Sequence, residues 1–71
     1  MKTFYITTDY IELVRLLKAN IRYDNDIEIK ELITDKKVYV NGHVETRRKC
    51  KIKPGQVVKS GSIEIEVKRG R

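Results

Sequence analysis

The chain has 71 residues with a single cysteine, Cys50, and a single histidine, His43, which excludes an intrachain disulfide and a paired Cys/His zinc site. Lys and Arg number 16 against 10 Asp and Glu, and the formal net charge of +6 favours a polyanionic partner. A chain this short makes one domain, residues 1–71, with a thin core that buries only about 60% of its unfolded surface. It has no apolar run near the roughly 18 residues a bilayer span needs and no signal-peptide core, so a soluble cytoplasmic protein without membrane contact is expected.

Thr3 to Thr7, TFYIT, is rich in β-formers and reads as a short strand. Asp9 followed three residues later by Glu12 has the spacing of a capping box. Tyr10, Leu13, Val14 and Leu17 then recur at i, i+3, i+4, i+7, which predicts a helix from Tyr10 to Ala19 with Asn20 as its stop. Asn25 and Glu28 repeat the capping spacing, and Ile29, Leu32 and Ile33 give one apolar face, so a second helix is expected over Asp26–Asp35.

After Lys37 the period changes to alternation. Asn41-Gly42 lies between two strand-like triplets and predicts a two-residue type I′ hairpin, because that turn needs positive φ at both positions. Pro54-Gly55 marks a second turn. Val57–Lys59 and Ser62–Lys68 form a last pair around Ser60-Gly61. In its second strand Ile63, Ile65 and Val67 alternate with Glu64, Glu66 and Lys68, one face buried and one wet. Arg69-Gly70-Arg71 is expected to fray. The order gives an α+β domain with two helices packed on one face of a small, mainly antiparallel sheet.

Charge is segregated along the chain. Residues 1–35 carry five cations against seven carboxylates, net −2, and residues 36–71 carry eleven against three, net +8. Five of those cations, Arg47, Arg48, Lys49, Lys51 and Lys53, fall within seven residues between the two turns and are the candidate phosphate contacts. Lys36 and Lys37 serve equally as complements to a helix C-terminus or as further phosphate contacts. Tyr39 alternates with the core valines and so faces outward, available to stack on an unpaired base or to pack across strands. His43 reads as a surface strand residue. Cys50 sits between cations that would lower its thiol pKa, yet no general base accompanies it. No catalytic set, metal cluster, cofactor motif or small-molecule site stands out, and no enzyme is expected.

The two helices, Val40-Asn41-Gly42, the return Val44-Glu45-Thr46-Arg47-Arg48 and the turn Lys53-Pro54-Gly55-Gln56-Val57-Val58 resemble the S-four-type RNA-binding domain, named after the fourth protein of the small ribosomal subunit. The resemblance covers residues 11–59, and the wording V-E-T-R-R is similar to short bacterial proteins that consist of this domain alone. It implies the αL arrangement of two helices on a sheet and binding of structured RNA, ribosomal or transfer RNA first, by the second helix and the following hairpin. It adds Lys30 to the candidate contacts and makes ribosomal particles a possible setting for a monomer. The chain departs from the family where Asp24-Asn25-Asp26-Ile27-Glu28 replaces a basic helix start. Those three carboxylates favour the helix dipole but repel phosphate, which leaves the hairpin segment to carry more of the affinity. The alternative is an adaptor whose basic face docks an acidic protein, in which case Asp24, Asp26 and Glu28 should belong to the interface.

Overall fold

The computed structural model describes residues 1–21 and 26–70, apart from the side chains of residues 26 and 27. Its strands are β1 (Lys2–Ile6), β2 (Ile11–Glu12), β3 (Val38–Val40), β4 (His43–Val44), β5 (Lys51–Ile52), β6 (Val57–Ser60) and β7 (Ile63–Arg69). Its helices are α1 (Leu13–Asn20) and α2 (Asp26–Thr34). Five strands form one sheet in the order β1-β7-β6-β3-β4, antiparallel throughout except that β1 runs parallel to β7, while β2 and β5 make a separate antiparallel ladder.

Alternation decides which side of the sheet is covered. Val38, Val58, Ile65 and Val67 point to the same side and are fully buried, together with Leu13, Leu16 and Leu17 of α1 and Ile33 of α2. Both helices therefore lie on one face, as the periodicities predict. The opposite face, carrying Tyr5, Tyr39, Lys59, Glu64, Glu66 and Lys68, has no helix over it among the described residues.

α1 starts three residues later than its apolar period suggests. The Asp9–Glu12 capping box does not form: Glu12 is the N-cap and makes no side-chain cap bond, while Asp9 lies 3.4 Å from Arg69. The cap comes instead from distant backbone. The N–H groups of Leu13 and Val14 donate to the carbonyl oxygens of Cys50 (2.8 Å) and Arg48 (3.0 Å). These bonds satisfy two of the helix's otherwise unpaired donors, and the residues before them, Ile11 and Glu12, are drawn into the ladder with β5. At the other end Asn20 stops the helix, its amide donating to Leu16 O at 2.7 Å.

α2 ends at Thr34, one residue short of the expected Asp35. The N–H of Lys36 donates to Ile33 O and that of Lys37 to Leu32 O, with Lys36 at φ 63°. This is the Schellman arrangement, with a lysine where glycine is favoured. The expected Asn25 cap lies outside the described residues.

The tail does not fray through residue 70. Arg69 is paired with Ile6, and the Gly70 N–H donates to Ile6 O at 2.9 Å. A Cβ on Gly70 would sit 2.6 Å from the Tyr5 Cβ, so the chain closes against β1 only because this residue is glycine.

Candidate nucleic-acid interface

The hairpin forms with Asn41 at φ 51° and Gly42 at φ 86°, both positive as a type I′ turn requires. The turn is clamped to β6: Asn41 N donates to Val57 O (2.8 Å), and Val57 N donates to Asn41 Oδ1 (2.9 Å). It therefore lies beside the Pro54-Gly55 turn and at the far end of β3 from the point where the cationic segment starts. That start is fixed by Glu45, whose N–H donates to Val38 O at 2.9 Å. Residues 45–56 thus run back along the length of β3. The cations sit on a strap, not on a hairpin tip that Asn41-Gly42 aims.

The strap is held at both ends and in the middle. At its start the Glu45 carboxylate accepts hydrogen bonds from Arg47 N (3.0 Å), Arg47 Nε (2.9 Å) and Arg47 Nη2 (3.1 Å). In the middle the carbonyls of Arg48 and Cys50 cap α1, and Ile52, fully buried, enters the core beside β2. At its end Lys53 N donates to Gln56 Oε1 (2.6 Å) and Gln56 N returns a bond to Lys53 O (3.1 Å). Gly55, at φ 97°, then donates to Val67 O. The apolar and backbone groups face inward, so Arg47, Arg48, Lys49, Lys51 and Lys53 are all left exposed.

The five cations are not equivalent. Arg47 has two guanidinium nitrogens committed to Glu45, although its side chain remains 76% exposed. The Lys51 ammonium sits 5.0 Å from the centroid of the Tyr10 ring, a cation–π contact that fixes its direction. Arg48, Lys49 and Lys53 carry no side-chain ion pair or hydrogen bond to another described residue, which leaves their charges to solvent or ligand.

Two titrations follow from this geometry. Hydrogen bonds from the Arg47 side chain, then from its backbone N–H, hold the Glu45 carboxyl well down, at about 2. Burial pushes the Cys50 thiol up, and its bond to the Glu45 carboxylate adds to the rise. The sequence expectation of a lowered thiol pKa is therefore wrong. The cations beside Cys50 in the chain point outward, whereas the sulfur turns inward toward a carboxylate.

The other candidates separate. Lys36 and Lys37, both exposed, lie between α2 and β3, at the end of β3 where the strap begins. Tyr39, 41% exposed, faces the uncovered side of the sheet between Val44 and Lys59. Lys30 is exposed on α2, and no ladder or hydrogen bond described links it to the strap. His43 is an exposed strand residue, as read. Two contributors carry no clear signal in the sequence. Glu45 was present as part of a motif but without a role; its i, i+2 spacing to Arg47 was the available signal. Tyr10 was assigned to a helix face and instead supports Lys51. Among the described residues no group of His, Cys, Asp and Glu could hold a metal ion, and no helix is long and apolar enough to cross a membrane.

A basic α+β domain of two helices on a mainly antiparallel sheet, with a cationic strap tied to the first helix, is the class these features define. The chain belongs to the S4-domain family, which matches residues 4–68. It is 36% identical over 58 residues, 82% of this chain and 83% of theirs, to the Escherichia coli protein named "Putative RNA-binding protein YbcJ" and to the Shigella flexneri protein named "Uncharacterized protein YbcJ". The family match extends to both sides of the stretch 11–59 and takes in Phe4 to Ile6 of the edge strand β1 and most of β7.

Proposed function

We propose that this protein is a non-catalytic module that binds structured RNA, with the phosphate backbone laid along the strap from Arg47 to Lys53. The observation that carries the reading is a run of exposed cations on a backbone already anchored at both ends and in the middle. Such a segment loses little conformational freedom on binding, so the electrostatic gain is not spent on ordering it. Membership in the S4-domain family and similarity to a relative named for RNA binding support the choice of RNA over another polyanion.

Arg48, Lys49, Lys51 and Lys53 make the principal phosphate contacts, and Arg47 contributes through the donors that Glu45 leaves free. Selectivity comes chiefly from shape, because the deep, narrow major groove of A-form RNA hides its base edges from side chains. Ribosomal or transfer RNA is the substrate class proposed, bound by a cytoplasmic monomer.

The localising test compares RNA affinity at fixed salt for Arg48→Ala combined with Lys49→Ala against Asp26→Ala, with circular dichroism as the folding control. The double variant should lose on the order of tenfold or more, and Asp26→Ala should bind as well as or slightly better than the unaltered chain. Normal binding by the double variant together with abolished binding by Asp26→Ala would move the site to α2.

A further inference from the structure

A groove of about 470 Å³ opens at the end of the sheet where the strap begins. One wall is apolar, formed by Ile21 and Leu32 from the helix layer. Lys36, Lys37 and the turn at Ser62 form the groove's rim, and Tyr39 borders that rim from the open face of the sheet. Cations and a hydroxyl at the rim, with an aromatic ring on the adjoining open face, are the chemistry that receives a nucleotide: phosphate, base edge and base plane in turn.

Three independent features favour that occupant. First, Lys36 holds φ 63°, in the left-handed region where glycine is easier. A non-glycine residue is strained there, and a cation at that position calls for a reason beyond closing α2. Second, Tyr39 stays 41% exposed on a face without a helix, flanked across the ladder by Lys59, whose charge suits a neighbouring phosphate. Third, the groove adjoins the strap: Glu45 bonds to Val38, next in the chain to Lys37, and holds Arg47. A backbone following the strap reaches Lys37 without crossing the acidic pair Glu64 and Glu66 in the middle of the open sheet.

We propose that the rim of this groove takes one unpaired nucleotide of the RNA, its base stacked on Tyr39 on the open face of the sheet and its phosphate held by Lys36 and Lys37. The proposal rests on the RNA-binding reading of the strap and adds what that reading lacks, a contact that distinguishes a bulged or looped RNA from an uninterrupted duplex. The strap supplies affinity for helical backbone, and the groove supplies preference for the helix defect beside it.

The test uses two RNA hairpins of the same stem sequence, one uninterrupted and one carrying a single bulged 2-aminopurine nucleotide. The unaltered protein should bind the bulged RNA on the order of tenfold more tightly and quench its fluorescence. Tyr39→Ala should lose both the preference and the quenching, Tyr39→Phe should keep them, and Lys37→Ala should weaken the bulged complex more than the duplex complex. Tight, salt-sensitive binding of both RNAs with equal affinity would overturn the groove and leave the strap reading intact. Preference retained by Tyr39→Ala would also overturn it. Failure to bind either RNA at physiological salt would remove both readings.

Discussion

Two residues with positive φ show how backbone conformation and chemistry part ways in this chain. Gly42, at φ 86° in the hairpin turn, is where the conformation demands it. Gly42→Val should lower stability by about 1 kcal/mol or more, because a β-branched side chain resists that region. Lys36, at φ 63°, is the reverse case: conformation favours glycine and the chain keeps a cation. Relief of left-handed strain, about 1–2 kcal/mol, should outweigh the unfolded-state entropy that glycine adds, about 0.5–1 kcal/mol. Lys36→Gly is therefore expected to stabilise the fold by about 0.5 kcal/mol while weakening RNA binding. Denaturant midpoints and RNA affinities measured on both variants check this. A glycine variant that is less stable than the parent would mean that Lys36 has a packing role. Cys50 teaches a related lesson at the same scale. Its chain neighbours are cations, but burial and the Glu45 carboxylate outweigh the lowering pull of Arg47 and raise its thiol pKa.

The strap is the element on which the proposed function depends, and much of it is hidden from the sequence. The Asn41-Gly42 turn was legible because a two-residue turn depends on its own two residues. The cationic cluster was legible as composition. The start of α1 was not, since its cap is supplied by carbonyls at positions 48 and 50, more than thirty residues downstream. β5 is two residues long and, among the described residues, pairs with β2 alone, so no period could announce it. The parallel pairing of β1 with β7 joins the two ends of the chain and is equally silent in local pattern. Of the candidate contacts, the sequence grouped Arg47 with its neighbours because it could not show that Glu45 holds it.

That ion pair makes the strap sensitive to acid. Glu45 titrates at about 2 in the folded chain against an ordinary 4.5, so its bond to Arg47 stabilises the fold fully above about 4.5 and the contribution is lost as pH falls toward 2. Glu45→Gln should consequently be less stable than the parent near pH 7, and the gap should close between pH 4.5 and 2. Thermal midpoints of both proteins across that range make the comparison. A gap that persists unchanged at pH 2 would assign Glu45 a role other than its charge.

At the scale of the molecule, the radius of gyration is 11.0 Å, about the value expected for a compact chain of this length. Strap, helices and sheet belong to one packed unit whose thin core is sealed on one side by Ile52 of the strap itself. The proposed binding surface and the closure of the core are thus one segment. Its inward residues hold the fold, its outward residues are free to meet a ligand, and outward substitutions other than at Arg47 should leave stability nearly unchanged. The +8 of the second half of the sequence is not spread evenly over that unit. On the open sheet Lys59 is paired across the ladder with Glu64, while the strap carries its cations with a single carboxylate, Glu45, among them.

The salt dependence of RNA affinity tests the central claim most directly. With four or five phosphates neutralised along the strap, log K against log salt should fall with a slope of roughly −3 to −4.5. Replacing Arg48, Lys49 and Lys51 together by alanine should flatten that slope by roughly 2 to 3 while the fold survives. An affinity for structured RNA that does not change with salt, or a slope untouched by the triple substitution, would contradict the account.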